Sequence, residues 1–196
     1  NTSFSISVIG FSDKIIERNK AKLNDDIYVT GNIGDSYVGL NVIKNKIKIT
    51  SKLKKYFISK YYCPNLPFKI FKFLNKFANT SMDVSDGLIC DLTKLINKQK
   101  LSFEVDINRI PISNNLELYL KKYKKKRENY LFSGDDYQIL FTSSIKNRSL
   151  IKLVSKRMNQ KITKIGKITN NYKKNSLKIG NKSLNASKFK GYSHNF

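Results

Sequence analysis

The stretch Met82-Asp83-Val84-Ser85-Asp86-Gly87-Leu88 decides how the rest of the chain is interpreted. Residues 78–81, just before it, are polar, and we interpret them as a connector. After it, apolar residues recur at helical spacing as far as Ile96, which predicts a helix of about three turns that starts near Asp86. Ser85 and Asp86 both suit the position that caps such a helix, and Gly87 allows a close approach to its first turn.

The same stretch has the residue types of a site for a phosphate with its metal ion. The N-terminus of a helix attracts anions, because its first N–H groups are unpaired and the helix dipole is positive there. Asp83 and Asp86, three residues apart at that end, would instead hold a divalent cation. Mg²⁺ is usually held by one or two carboxylates together with phosphate oxygens. The alternative is that Ser85 or Asp86 only caps the helix.

The large net charge of the chain is only weak evidence about its function. The 196 residues carry a formal net charge of +24, which is typical of proteins that bind nucleic acid or anionic membranes. Nearly all the basic residues are scattered Lys, however, whereas nucleic-acid binders rely on Arg for bidentate contacts. We therefore predict no specific nucleic-acid partner. A Lys-rich nucleic-acid-binding module stays as an alternative, and it differs in that Asp-to-Asn changes would not weaken it.

The few acidic residues are more informative. Eight of the 14 lie in or beside three short segments, near positions 25–35, 83–91 and 135–136, and clustered carboxylates in a Lys-rich chain suggest a cation to be bound. Cys63 and Cys90 lack metal or redox spacing, which predicts a reducing, cytoplasmic compartment. We see no apolar run of transmembrane length and no signal peptide, so no membrane partner is expected. Phe4–Gly10 alternates like a strand from the very start, as a fragment that lacks its true N-terminus would.

Alternating strands and amphipathic helices along the chain predict an α/β fold. Strand patterns cover residues 26–31, 101–107, 138–142 and 162–168, and helical patterns cover residues 53–62, 68–77, 114–122 and 145–158. A Gly-bearing turn at Gly31–Ser36 leads from the first of these strands into a helix that carries Val38, Val42 and Ile43. We see no linker that would divide the chain.

Four motifs, in this order, resemble the thiamine-monophosphate kinase family. They are Asp26-Ile27-Tyr28-Val29-Thr30-Gly31 with Gly34-Asp35-Ser36, the stretch 82–88 with Asp91-Leu92, Ser133-Gly134-Asp135-Asp136-Tyr137 with Leu140-Phe141-Thr142, and Gly191-Tyr192 with His194. The resemblance implies the aminoimidazole-ribotide-synthetase-like superfamily. Residues 21–196 would form its C-terminal α/β domain, a mixed sheet flanked by helices. Residues 1–20 would end an otherwise missing N-terminal ferredoxin-like half, through which the family is expected to form a homodimer.

The resemblance also implies roles for single residues. Asp83 and Asp86 match metal-binding aspartates, which implies Mg²⁺ as cofactor. Ser85 and Arg18 match positions that contact ATP. The implied reaction is direct in-line transfer of the γ-phosphoryl group of ATP to thiamine monophosphate. The acceptor phosphate is largely ionised at neutral pH, so no general base is needed and no residue is assigned as catalytic.

Asp135 and Tyr192 match positions that hold thiamine monophosphate. A carboxylate and an aromatic face suit the thiazolium ring, because that ring is a permanent cation. Here the chain departs from the family, whose Glu is Asp135 and whose second Glu is Gln138; the Arg-bearing turn of the family is replaced by Cys63–Phe68. A superfamily member with another phosphorylated substrate is therefore a further alternative. We expect the fragment alone to be inactive.

Overall fold

The computed structural model describes residues 4–12, 14–172 and 174–186. Within these ranges the chain forms six α-helices, α1 (Asp35–Ile43), α2 (Ser51–Tyr62), α3 (Phe71–Phe77), α4 (Leu88–Leu95), α5 (Asn114–Lys122) and α6 (Arg148–Arg157). It also forms seven strands, β1 (Asp26–Thr30), β2 (Ala78–Asp83), β3 (Ser102–Asp106), β4 (Ile139–Ser143), β5 (Ile162–Thr169), β6 (Ser176–Ile179) and β7 (Lys182–Asn185). No helix in the described ranges is long and apolar enough to cross a membrane.

The seven strands form one mixed sheet. Their order is β2-β4-β1-β5-β3-β6-β7, and every neighbouring pair is antiparallel except the parallel pair of β3 and β6. All five residues of β1 are buried, because the strand lies inside the sheet and both of its faces are covered. Ile27 and Val29 pack into one core and Tyr28 into another, where its ring stacks on Phe141 at 5.2 Å. The predicted mixed sheet flanked by helices is confirmed.

Helices cover both faces of the sheet and one of its ends. Leu88, Leu92 and Leu95 of α4 pack in the core on one face, while α3 and α6 supply apolar side chains to the core on the other. The third core joins α1, α2 and α5 around Phe57 and Tyr119, beyond the end of β1.

Two local predictions were wrong. Residues 78–81 belong to β2, because their polar side chains find partners: the Asn79 amide donates to Asp25, and the Thr80 hydroxyl to the Glu17 carbonyl oxygen at 2.6 Å. The helix predicted after the 82–88 stretch is confirmed, although it starts at Leu88, two residues later than predicted, and has eight residues. Phe4–Gly10 forms no strand, and its apolar side chains are exposed, since no described strand pairs with it.

The remaining strand and helix patterns are confirmed within a few residues. Two of the predicted helices begin with a 3-10 turn, Phe68–Ile70 before α3 and Ile145–Asn147 before α6. The hairpin of β6 and β7 was not predicted. It is polar and partly exposed, and its first strand pairs with β3 through the backbone.

Candidate functional site

The loop between β2 and α4, residues 84–87, is held by a carboxylate from inside the helix. Asp91 Oδ2 accepts hydrogen bonds from the backbone N–H groups of Ser85, Asp86 and Gly87, at 2.9, 3.0 and 3.1 Å. Neither Ser85 nor Asp86 caps the helix; Gly87 occupies that position with φ at 125°, where an L side chain would be strained. These three N–H groups are already paired, so they are not free to bind a phosphate.

Asp91 therefore acts as the cap that the sequence analysis missed. It is completely buried, and burial raises the pKa of its carboxyl group although the three N–H groups and Lys94 favour the charged form. An acidic residue in the first turn of a helix is the sequence signal that could have indicated this role.

Lys94 brings a positive charge to the same loop. Its Nζ donates a hydrogen bond to Asp86 Oδ2 and lies 3.6 Å from Asp91 Oδ1. The side chains of Asp86 and Lys94 are 30% and 38% exposed, so this ion pair lies at the surface of the site. One of the two predicted metal ligands thus has an ammonium group as its partner.

The turn before β4 packs directly against the 84–87 loop. Asp135 N–H donates to the Ser85 carbonyl oxygen at 2.9 Å, and Tyr137 N–H donates to the Val84 carbonyl oxygen at 2.9 Å. Val84 N–H in turn donates to the Gln138 carbonyl oxygen at 2.8 Å. Backbone hydrogen bonds thus join two motifs that are distant in sequence, since Gly87 and Asp135 are 48 positions apart.

Two glycines make this contact possible. A Cβ atom on Gly134 would overlap the Ser85 carbonyl oxygen, and one on Gly87 would overlap the Phe132 carbonyl oxygen. Asp135 and Tyr137 also adopt positive φ angles of 66° and 50°, which cost non-glycine residues about 1 kcal/mol or more each. The backbone hydrogen bonds to the 84–87 loop maintain that strained turn.

The third motif, the turn between β1 and α1, joins the same cluster. Asp136 Oδ2 accepts from the Gly34 N–H at 2.9 Å, and the Thr30 hydroxyl donates to Gln138 Oε1 at 2.9 Å. Burial raises the pKa of the Asp136 carboxyl group well above its ordinary value, although the Gly34 N–H favours the charged form. Gly31 has a φ of 58°, and a Cβ atom there would overlap the Gln138 side chain.

A polar cleft of about 240 Å³ opens beside these turns. Gly31, Asn32, Lys60, Asn65 and Gln138 are among the residues that line it. Asp35 lies at its base and accepts hydrogen bonds from the hydroxyls of Ser113 at 2.7 Å and Tyr56 at 2.8 Å. Burial raises the pKa of Asp35, and its two hydrogen bonds tie α1 to α2 and to the start of α5.

The structure brings together four of the six predicted site residues. Asp83 ends β2 with an exposed side chain; Ser85 and Asp86 follow it, and Asp135 hydrogen-bonds to Ser85. In the described part of the chain, no three His, Cys, Asp or Glu side chains converge as a set that could hold a metal ion. The two-carboxylate site, completed by phosphate oxygens, stays a prediction.

Arg18 is not brought into this cluster. Arg18 is exposed, and its neighbours in sequence hydrogen-bond to Thr80 and to the Leu95 carbonyl oxygen, which lies at the far end of α4 from Asp86. Its contact with ATP stays a prediction. Tyr192 lies outside the described residues.

Comparisons with known proteins place this arrangement in a class. The chain matches T. maritima PurL complexed with ATP with a TM-score of 0.58 and 12% identity, over 89% of this chain and 27% of that one, which shows the fold alone. The chain thus has the aminoimidazole-ribotide-synthetase-like fold. No family profile matches it.

Sequence relatives narrow the class to a family. A thiamine-monophosphate kinase from Buchnera aphidicola subsp. Acyrthosiphon pisum is 35% identical over 174 residues, which are 85% of this chain and 52% of that protein. A structure of AaThiL complexed with AMPPCP and TMP matches with a TM-score of 0.74 and 29% identity, over 91% of this chain and 54% of that one. The chain belongs to the thiamine-monophosphate kinase family, and it spans about half of the length of these relatives.

Proposed function

We propose that this chain is the C-terminal part of an enzyme that transfers the γ-phosphoryl group of ATP to thiamine monophosphate and forms thiamine diphosphate. One observation carries the proposal: the three described motifs that resemble the family meet at one end of the sheet, joined by hydrogen bonds through residues 84–87 and 134–138. The AaThiL structure with AMPPCP and TMP, which shares the fold over most of this chain, supports the same pair of substrates.

Asp83 and Asp86 would hold the Mg²⁺ that accompanies ATP. Their donor chemistry fits, because carboxylate oxygens are the ligands that Mg²⁺ prefers and because Asp86 already binds a cationic group, the Lys94 ammonium. When bound, Mg²⁺ supplies positive charge that offsets the charge on the phosphate oxygens. Asp91 positions Asp86 for this role by fixing the backbone on both sides of it.

The residues of the chain do their work by binding and orientation. The acceptor phosphate has a second pKa of about 6, so it is already a nucleophile at neutral pH and no side chain has to remove a proton. Asp135 would face the thiazolium cation with its carboxylate, and Ser85 and Arg18 would contact ATP. Tyr192 would add an aromatic face to the thiazolium ring.

The test is formation of thiamine diphosphate from ATP and thiamine monophosphate, followed by chromatography, with a protein of the relatives' full length that contains this sequence. We expect turnover that requires Mg²⁺ and both substrates. ATP-dependent phosphorylation of a different phosphorylated compound, with none of thiamine monophosphate, would instead favour the alternative of another superfamily member.

The remaining expectations from the family resemblance belong to this proposal. We infer that the 196-residue chain alone has little or no activity, because the rest of the nucleotide site is expected in the N-terminal half of the relatives. The enzyme would be a cytoplasmic homodimer that dimerises through that half. It would bind polyanions only weakly and with strong salt dependence, in keeping with scattered Lys.

A further inference from the structure

Lys94 has a place in the site that neither the family resemblance nor the proposed reaction assigns. Its ammonium group contacts Asp86 and lies 3.6 Å from Asp91 Oδ1. Asp91 Oδ1 is otherwise buried without a hydrogen-bond partner among the described residues, so Lys94 supplies the positive charge nearest to it.

Lys94 and a metal ion held by Asp86 would share the charge of one carboxylate. Asp86 Oδ2 accepts the Lys94 hydrogen bond, and Asp86 is also one of the two residues that would hold the metal ion. The two positive charges would also repel each other, and salt screens this repulsion only in part at a partly buried site.

We propose that Lys94 is an internal counter-ion that competes with the divalent metal for Asp86, and that it swings away when the metal binds. The proposal rests on the proposed function, because it needs the metal at Asp83 and Asp86. Asp91 is buried and fixed by three N–H groups, so it stays in place while the flexible Lys94 side chain, 38% exposed, is free to move into solvent. Lys94 thus lowers the affinity of the site for metal. In the metal-free protein it neutralises the negative charge of Asp86.

The experiment measures Mn²⁺ binding to the chain by electron paramagnetic resonance of the free ion, without nucleotide. Lys94→Met should bind Mn²⁺ about three- to tenfold more tightly than wild type, since a partly exposed ion pair contributes a modest free energy. Lys94→Arg keeps the charge and should stay near wild type. Lys98→Met, in the exposed turn that follows α4, removes the same charge and controls for the general effect of net charge.

A second readout is thermal stability, which separates competition from a general packing role. Without metal, Lys94→Met should melt at a lower temperature than wild type, and Mn²⁺ should raise its melting temperature by more. Equal Mn²⁺ affinity in Lys94→Met and wild type, with Asp86→Asn much weaker than both, would overturn the role of Lys94 and leave the metal site intact. Mn²⁺ binding that Asp86→Asn does not weaken would overturn the metal assignment itself, and the competition with it.

Discussion

The two ends of the central strand β1 carry clusters of carboxylates in different settings. At its start lies the anchored end, formed by Asp25, Asp26, Arg148 and Lys164. Beyond its other end lies the motif end, formed by Asp83, Asp86 and Asp135, because β2 and β4 run antiparallel to each other and bring Asp83 opposite Ile139.

At the anchored end the chain provides every partner. Asp26 accepts from Arg148 Nη2 at 2.9 Å and pairs with Lys164 Nζ at 2.6 Å, while Asp25 accepts from the Asn79 amide and the Thr142 hydroxyl. Burial alone would raise the pKa of Asp26, but Arg148 and Lys164 together hold it below its ordinary value. These carboxylates serve the fold.

At the motif end the described residues do not supply a basic partner for every carboxylate. Among the described residues Asp86 has Lys94, but no Lys or Arg pairs with Asp83 or Asp135. Clustered acids in a Lys-rich chain thus indicate a cation at both ends, but only the structure shows which cation belongs to the chain. We expect substitutions at the anchored end to affect stability and those at the motif end to affect activity.

The largest expected effect is on turnover at the motif end. Asp83→Asn or Asp86→Asn should lower turnover about a hundredfold or more, since each removes a ligand for a cation that offsets phosphate charge in the transition state. The melting temperature should change little in Asp83→Asn, whose side chain is exposed, and should fall slightly in Asp86→Asn, which also loses the ion pair with Lys94. Steady-state assays of thiamine diphosphate formation and thermal melts check this. Near-normal turnover in both variants would contradict the assignment of activity to the motif end and of stability to the anchored end.

Local pattern in the sequence was enough to predict which segments form the motif end. The 26–36, 82–88 and 133–137 segments were each recognisable from Gly and Asp positions next to an apolar strand or helix. Their meeting in one site followed from the family resemblance, and the hydrogen bonds between residues 84–87 and 134–138 agree with it.

What the sequence could not predict depends on contacts between distant residues. Asp26 and Arg148 are 122 positions apart, so no local pattern pairs them. The polar segment 78–81 resembles a loop until Asn79 and Thr80 have their partners in the sheet. Asp91 looked like one more clustered acid, because its role as a cap requires the loop to fold back over the helix.

The second effect concerns the backbone contact that builds the motif end. Gly134→Ala places a methyl group where the Ser85 carbonyl oxygen lies, so the turn or the loop has to move. We expect a loss of about 1–3 kcal/mol in the free energy of unfolding and a clear loss of turnover. Gly10→Ala is the matched control, because no atom lies within 4 Å of the added group. Equal denaturant midpoints for the two variants would show that the two motifs do not pack as described.

The third effect is on stability at the anchored end. Asp26→Asn should cost about 2 kcal/mol, since it removes charged hydrogen bonds from a buried acceptor whose partners are half-exposed. Because the pKa of Asp26 is lowered by folding, its stabilisation is present above the ordinary value of 3.8 and is lost as the pH falls through the lower folded-state value.

Urea unfolding between pH 7 and pH 2 measures this contribution. The acid-dependent loss of stability should be smaller in Asp26→Asn than in wild type. Glu117→Gln, which breaks only the exposed pair with Lys121, is the control and should leave the stability near that of wild type. Turnover per folded molecule should be unchanged by Asp26→Asn, and a specific loss of activity would contradict the assignment of this end to the fold.

The smallest expected effect is on substrate affinity at Asp135. Asp135→Asn should raise KM for thiamine monophosphate about three- to tenfold and leave KM for ATP unchanged, if the carboxylate faces the thiazolium cation. Asn is a suitable replacement because it tolerates the positive φ of 66° nearly as well as Asp. The melting temperature should therefore stay near that of wild type.

Asp135→Glu divides the substrate role from a role in the turn. The longer side chain should preserve or lower KM for thiamine monophosphate, but it should lower the melting temperature slightly, because Glu is less favourable at positive φ. If Asp135 only supports the turn, its removal should act on Tyr137, whose pKa is raised by burial and by the Asp135 carboxylate. Asp135→Asn would then lower the pKa of Tyr137 in an ultraviolet titration without any change in either KM. A normal KM for thiamine monophosphate in Asp135→Asn would contradict the substrate role of Asp135. The proposed metal ligands Asp83 and Asp86 would then be the only carboxylates of the motif end with a functional role.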